Sequence, residues 1–238
     1  MTGNNMKNNK INPIIAFDGY SSTGKSSYAK MLAQKFGWFH IDTGAMYRAV
    51  TLYAIENFYK NNTIDELALI VHLNDIHIEF KQNSDSSNNE IYLNSKNVEN
   101  RIRAFDISEQ VSLVAKIPEV REYLVKQQRN IGKNGGIVMD GRDIGTVVFP
   151  NADLKFFITA SIEERAKRRF LDFKKLHKNI SLQEVEENLK QRDYIDENRL
   201  VAPLIQATDA VLIDNTHLSK EETFCKIVQI VKNRFKFE

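Results

Sequence analysis

Near the start of the chain, Gly19-Tyr20-Ser21-Ser22-Thr23-Gly24-Lys25-Ser26 satisfies G-x-x-x-x-G-K-[ST] in full. The chemistry open to such a run is the grip of a nucleoside triphosphate. Its glycines let successive backbone N–H groups turn toward an anion. A helical pattern beginning at Gly24 adds N-terminal donors and the positive end of its dipole. Lys25 is long enough to reach the β- and γ-phosphates, and the Ser26 hydroxyl can join a Mg²⁺ shell directly or through water. The donor-binding set therefore runs from Gly19 through Ser27, with ATP and Mg²⁺ as its expected ligands.

Arginines make up the second set. Asp42-Thr43-Gly44-Ala45-Met46-Tyr47-Arg48 and Asp140-Gly141-Arg142-Asp143 each follow a predicted strand, where open α/β sheets place their ligands. Taken singly, each would also suit a capped turn carrying a surface arginine. Arg165, Arg168 and Arg169 stand at i, i+3 and i+4, and Arg192, Asp196 and Arg199 share another helical face. Like charges at that spacing repel unless an anion sits among them. A phosphoryl acceptor site asks for such groups, because two polyanions must meet in a dry cleft. No N-K-x-D motif occurs downstream, which argues against a GTPase. The five histidines lack metal-ligand spacing, and Trp38 and Cys225 read as packing residues.

The elements that must position these groups can be read from patterning. Short apolar runs at Ile14–Phe17, Trp38–Asp42, Ile137–Asp140, Leu154–Ile158 and Val211–Asp214 read as buried parallel strands. Helical spacing separates them, for example from Gly44 to about Tyr59. Capping boxes are expected at Thr63/Glu66, Ser161/Glu164, Ser181/Glu184 and Ser219/Glu222. Alternating Ile76, Ile78, Phe80 and Ile91, Leu93 around the polar run 83–89 predict a half-buried antiparallel hairpin within an inserted lobe, 70–113. Strands alternating with helices give an α/β fold with a parallel central sheet. The Asn/Lys-rich residues 1–10 are expected to be a disordered tail.

Composition narrows the function classes. With 238 residues, 42% hydrophobic and 27% charged, the chain is an ordinary soluble globular protein. Its single cysteine excludes an intrachain disulfide and a cysteine-based zinc cluster. Lys+Arg 33 against Asp+Glu 31 lacks the basic excess of a protein that holds nucleic acid polymers by their phosphates. No apolar run is long enough to span a membrane, and the polar N-terminus lacks the apolar core of a signal peptide. A cytoplasmic location is expected.

The segments G-Y-S-S-T-G-K-S-S, D-T-G-A-M-Y-R, D-G-R-D-I-G-T-V-V-F-P and R-D-Y-I-D-E-N-R-L-V-A-P-L, in this order, resemble the bacterial-type cytidylate kinases of the P-loop nucleoside monophosphate kinase group. The likeness runs from about Ile14 to the C-terminal helix. It implies a three-layer P-loop NTPase fold with core segments 11–69, 114–160 and 179–238. The 70–113 lobe becomes an NMP-binding insertion holding a small antiparallel sheet, and 161–178 a helical lid. It implies transfer of the γ-phosphoryl group of ATP to CMP or dCMP by a monomer that uses Mg²⁺ and neither membrane nor nucleic acid.

Residue by residue, the likeness gives Ser112, Arg121 and Asp143 the cytosine ring, and Arg48 and Arg142 the acceptor phosphate. Arg192 and Asp196 fall to the sugar and nearby phosphate. Arg199 adds charge at the reaction centre, and Arg165, Arg168 and Arg169 cover the donor phosphates. Lys25, Arg142, Arg192 and Arg199 form the catalytic set. Thr43 replaces the commoner serine of D-S-G and keeps its hydroxyl in the acceptor site. Tyr20 is a departure for which the sequence offers no physical account. Other open readings are a P-loop kinase for UMP, another nucleotide or a small metabolite, and a nucleotide-binding regulator without transfer activity.

Overall fold

The structure is a computed structural model that describes residues 12–82, 89–175 and 180–237. The predicted tail, nearly all of the polar 83–89 run and the end of the 161–178 segment lie outside the described residues. In chain order, β1 (Ile14–Gly19) leads through the Gly-rich turn to α1 (Lys25–Phe36), then β2 (Phe39–Asp42) and α2 (Thr43–Phe58). A hairpin of β3 (Tyr59–Lys60) and β4 (Thr63–Ile64) precedes α3 (Glu66–Val71). Next come β5 (Ile78–Gln82), β6 (Asn89–Leu93), β7 (Lys96–Asn97), α4 (Phe105–Ala115), α5 (Pro118–Gly132) and β8 (Ile137–Asp140). A π-helical turn at Ile144–Val148 leads to β9 (Leu154–Thr159), α6 (Ile162–Lys175), α7 (Leu182–Asn198), β10 (Val211–Asp214) and α8 (Lys220–Phe235).

The five strands expected from apolar runs form one parallel sheet in the order β10-β9-β1-β8-β2. Both faces are covered, so successive side chains pack to opposite sides. On β8, Ile137 and Met139 join the core shared with α2, α4 and α5, while Val138 joins the core under α1 and α8. On β1, Ala16 faces the first core, and Ile15 and Phe17 the second. Each of these Ile, Val, Met and Phe side chains withdrawn from water stabilises the fold by about 1.5–3 kcal/mol. The result is the three-layer α/β architecture, with β1 central and the carboxyl ends of β1, β8 and β2 side by side.

The inserted lobe contains a three-stranded antiparallel sheet, β5-β6-β7, one strand more than the expected hairpin. It has no core of its own: Ile91, Leu93, Val98 and Ile102 belong to the same buried cluster as Met46 and Met139. Helix α4 ends at Ala115 and α5 begins on Pro118, whose missing N–H costs nothing at a first helical turn.

Capping boxes form at Ser181/Glu184 and Ser219/Glu222. At Ser161 only half forms: its hydroxyl accepts from Glu164 N–H at 3.3 Å, while its own N–H donates to Thr216 Oγ1 at 2.9 Å. Thr63 caps nothing. Asn61 and Asn62, at φ 51 and 62, form the two-residue turn of the β3–β4 hairpin, so Thr63 enters a strand and Asp65 caps α3 through Ala68 N–H. Trp38 packs as expected, stacked on Phe36 at 4.8 Å, whereas Cys225 is exposed on α8 because the buried face of that helix runs through Thr223, Ile227 and Val231.

Two glycines calibrate the strain held at the loop. Gly19 has φ +140, and a Cβ there would lie 2.0 Å from the Ile158 carbonyl oxygen; Gly37 has φ +70 with nothing within 4 Å. Gly19→Ala should therefore cost more than about 3 kcal/mol, adding steric overlap to backbone strain. Gly37→Ala should cost only about 1–2 kcal/mol. Urea unfolding midpoints of the two variants check the order; equal losses would refute it.

Candidate active site

The phosphate loop joins β1 to α1. Gly24 takes a left-handed conformation at φ 86 and offers no side-chain cap, so the first N–H groups of α1 are free of a capping side chain. Lys25 is only 7% exposed, and its Nζ donates to the Tyr20 carbonyl at 3.1 Å. Burial, and then the neighbouring charge of Arg142, pushes its pKa down to about 7. Thr23 Oγ1 donates to the same carbonyl at 3.0 Å, and Thr23 O accepts from the Asn215 amide at 2.9 Å. Ser21 is buried, with its carbonyl 3.4 Å from Arg165 Nη1, and Ser22 turns the loop at φ 63. Ser27 is exposed and lines a different cavity, between α1, β2 and the inserted sheet, with Lys30, His40 and Arg103.

Beside this loop, one cavity gathers the residues expected on the acceptor side. From α2 it takes Thr43 and Arg48; from α4 and α5, Ser112 and Arg121; after β8, Arg142 and Asp143; from α7 and its end, Arg192, Asp196 and Arg199. Arg121 and Asp143 form a salt bridge at its base, with Arg121 2% exposed. Arg121 also donates to Ala115 O at 3.0 Å, and its Nε has no hydrogen-bond partner among the described residues. Arg142 Nε donates to Asp196 Oδ2 at 2.8 Å, and Asp196 outweighs the effect of burial to hold that guanidinium's pKa up. Arg48 donates to Ser108 Oγ at 2.9 Å and Ile102 O at 3.2 Å. Thr43 Oγ1 donates to Asp140 O at 2.7 Å.

Cations outnumber anions toward the centre. Burial, then Arg192 and Arg169, depress the pKa of Arg48; burial, then Arg142, pushes Arg192 down to about 10. The Nε of Arg192 and the Nη2 of Arg199 are buried without hydrogen-bond partners among the described residues, although Arg199 Nη2 lies 3.8 Å from Asp143 Oδ1. Buried donors of this kind stabilise an anion that reaches them, because leaving them unpaired carries a desolvation cost.

The three α6 arginines do not converge on one point. Arg165 pairs with Asp193 at 2.6 Å; Arg168 donates to Asn215 Oδ1 and O, both at 3.0 Å, and to Glu164 at 3.1 Å. Arg169 turns toward the acceptor side, donating to Ser108 Oγ at 3.2 Å with its guanidinium 4.4 Å from the Phe173 ring centre. Their mutual repulsion is met by separate protein groups, and Ser108 Oγ accepts from both Arg169 and Arg48.

A model of the family described as cytidylate kinase matches residues 15–233. The chain belongs to the cytidylate kinase family. A Flavobacterium johnsoniae cytidylate kinase is 50% identical over 225 residues, covering 94% of this chain and 98% of that one. The Bacteroides fragilis cytidylate kinase is 51% identical over 209 residues, 87% of this chain and 91% of the other. That from Porphyromonas gingivalis is 46% identical over 208 residues, with 87% and 90% covered. Family membership thus spans the sheet, the loop and every segment that lines the cavity.

For this family the donor set around Ser26 suits Mg²⁺. Ser26 Oγ donates to Asp140 Oδ2, and Asp140 Oδ1 lies 2.8 Å from His40 Nε2. Among the described residues no group of three or more His, Cys, Asp or Glu could cage a metal. A hydroxyl and one carboxylate are hard oxygen ligands, and Mg²⁺ bound to a nucleotide draws its other ligands from phosphates and water.

Sequence reasoning missed several of these groups. Asp140 opens the D-G-R-D motif, yet only its contact with Ser26 shows its place. Tyr47 lines the acceptor cavity with its hydroxyl buried and unpartnered among the described residues, 5.4 Å separating its ring centre from the Arg121 guanidinium. Ser108 and Asn215 are buried polar hubs, and the arginines that meet them (Arg48, Arg169 and Arg168) stand 47 or more positions away along the chain.

The Arg121–Asp143 pair gives a stability test. Asp143→Ala leaves Arg121 buried and uncompensated and should cost about 3–5 kcal/mol. Replacing both, Arg121→Leu with Asp143→Leu, should cost markedly less. Denaturant unfolding of the single and double variants checks this; a double variant no more stable than the single would sink the account.

Proposed function

We propose that this enzyme, a nucleoside monophosphate kinase, transfers the γ-phosphoryl group of ATP directly to CMP and dCMP, giving CDP or dCDP and ADP. The observation that carries the reading is the meeting of Arg48, Arg142, Arg192 and Arg199 with the buried Arg121–Asp143 pair in one cavity, close enough to Lys25 for Arg142 and Arg192 to act on its charge. The family match supplies the nucleotide class.

In this reading the loop amides, Lys25 and Ser26 hold the donor phosphates. Ser26 and Asp140 would hold Mg²⁺, which would supply charge neutralisation to the donor nucleotide. The Asp143 carboxylate suits the cytosine N4 amino donor, while Arg121 and Ser112 suit its N3 and O2 acceptors. Arg48 and Arg142 fix the acceptor phosphate, Arg192 and Asp196 the sugar side, and Arg199 adds positive charge where the two nucleotides meet. Thr43 retains acceptor lone pairs for a ligand after donating to Asp140 O. An acceptor phosphate is already anionic, so no general base is required. Positioning and electrostatic stabilisation supply the acceleration, and closing the arginine-bearing α6 over the cleft excludes water as a competing acceptor.

A coupled assay with ATP, Mg²⁺ and a panel of nucleoside monophosphates tests the assignment. CMP and dCMP should be the best acceptors by kcat/KM, and a preference for UMP, AMP or a non-nucleotide would overturn it. Lys25→Ala should lower turnover by at least about 10³-fold with the fold intact by circular dichroism. Chelation with EDTA should stop turnover, and added Mg²⁺ should restore it.

A further inference from the structure

Tyr20 stands in the phosphate loop, yet its side chain takes no part in the proposed transfer chemistry. Its contacts reach across the cleft. The hydroxyl donates to Glu197 Oε1 at 2.6 Å, and the ring centre lies 5.0 Å from the Arg165 guanidinium. The ring is braced edge-on by Phe157 at 6.0 Å. Arg165 in turn holds Asp193 at 2.6 Å.

Asp193 and Glu197 are i and i+4 on α7, so one face of that helix is clipped to the loop by a single residue and the arginine stacked on it. The adjoining face carries Arg192 and Asp196 into the acceptor cavity. The Tyr20 backbone also feels the donor side, because its carbonyl accepts from Lys25 Nζ at 3.1 Å and Thr23 Oγ1 at 3.0 Å. A donor phosphate would draw on the same ammonium, whose three N–H groups it would share with that carbonyl. Donor binding therefore alters the hydrogen bonds of the residue that holds α7.

We propose that Tyr20 is a positioning residue that couples the two substrate sites: through Glu197 and the Arg165–Asp193 pair it sets α7 against the phosphate loop, so that donor binding tightens acceptor binding. Linkage makes the effect reciprocal. The inference rests on the assignment of ATP as donor and CMP as acceptor. It accounts for an aromatic residue at a loop position whose backbone alone serves the phosphates: the ring holds Arg165 and the hydroxyl holds Glu197.

Isothermal titration of the full chain with CMP, with and without Mg²⁺ and a non-hydrolysable ATP analogue, provides the test. In the wild type the analogue should tighten CMP binding by at least about fivefold. In Glu197→Ala and in Tyr20→Phe this factor should fall to within about twofold of unity, while CMP affinity of Glu197→Ala without the analogue stays within about twofold of wild type. Glu197→Gln keeps an acceptor oxygen and should retain the coupling. Wild-type coupling in both disrupting variants would overturn the proposal, as would its absence from the wild type. Should one variant fold poorly by thermal unfolding, the other carries the test alone. A wild type that binds the ATP analogue but no CMP would remove the acceptor assignment itself, and the coupling with it.

Discussion

The repulsion among cations buried around Lys25 is the constraint to which the surrounding structure answers. Lys25, Arg48, Arg192 and Arg199 are each at most 9% exposed, and every buried ion carries a desolvation penalty of about several kcal/mol. The fold meets that penalty selectively. Asp196 holds Arg142, Asp143 holds Arg121 and Asp193 holds Arg165. Where a carboxylate prevails over burial, as at Arg121 and Arg142, the guanidinium pKa rises; where burial and neighbouring cations prevail, as at Arg48, Arg192 and Arg199, it falls. That division locates the surplus of positive potential between the loop and the acceptor cavity. A fully paired cluster would have no donor left for an incoming anion, and a wholly unpaired one would oppose folding.

Strand order explains how so many groups reach one place. Because β1 lies between β9 and β8, and β2 lies beyond β8, the phosphate loop, the Asp140–Asp143 turn and the start of α2 emerge next to one another. The turn is pinned as well as placed. Asp18, at the end of β1, accepts from Ile144 N–H at 2.8 Å and Gly145 N–H at 2.7 Å, and burial pushes its pKa up to about 7. The backbone that presents Arg142 and Asp143 is thus fastened to the strand that presents the loop.

How much can be read from the sequence depends on how local its physics is. The phosphate loop, the five apolar strands and the capping boxes at Ser181 and Ser219 depend on spacings of a few residues, and all are legible. Thr63 shows where a local pattern loses to a stronger one, since the Asn61-Asn62 turn fixes a hairpin that the T-x-x-E match ignores. The α6 arginines show a different limit: i, i+3 and i+4 spacing defines a face but not the partners beyond it, and those partners, Asp193, Asn215 and Ser108, come from three other segments. Tyr20 has no account until Glu197, 177 positions away, is seen against its hydroxyl. Resemblance names the acceptor residues, but only the fold shows that they line one cavity.

Asp140 shows why the donor and acceptor halves cannot be assembled independently. Strand β8 alone neighbours both β1 and β2, so the residue at its carboxyl end can touch the segments that leave both strands. Asp140 does so with every acceptor it has: Oδ2 takes the Ser26 hydroxyl of the donor loop, Oδ1 meets His40 on β2, and the carbonyl takes the Thr43 hydroxyl of the acceptor site. At 1% exposure it is held by packing as well as by hydrogen bonds. A change that moves the end of β8 must therefore move Ser26 and Thr43 together, which keeps the two segments proposed to hold phosphates in fixed relation. The proposed transfer needs that relation, since misplacement by about 1 Å costs about 10²-fold in rate.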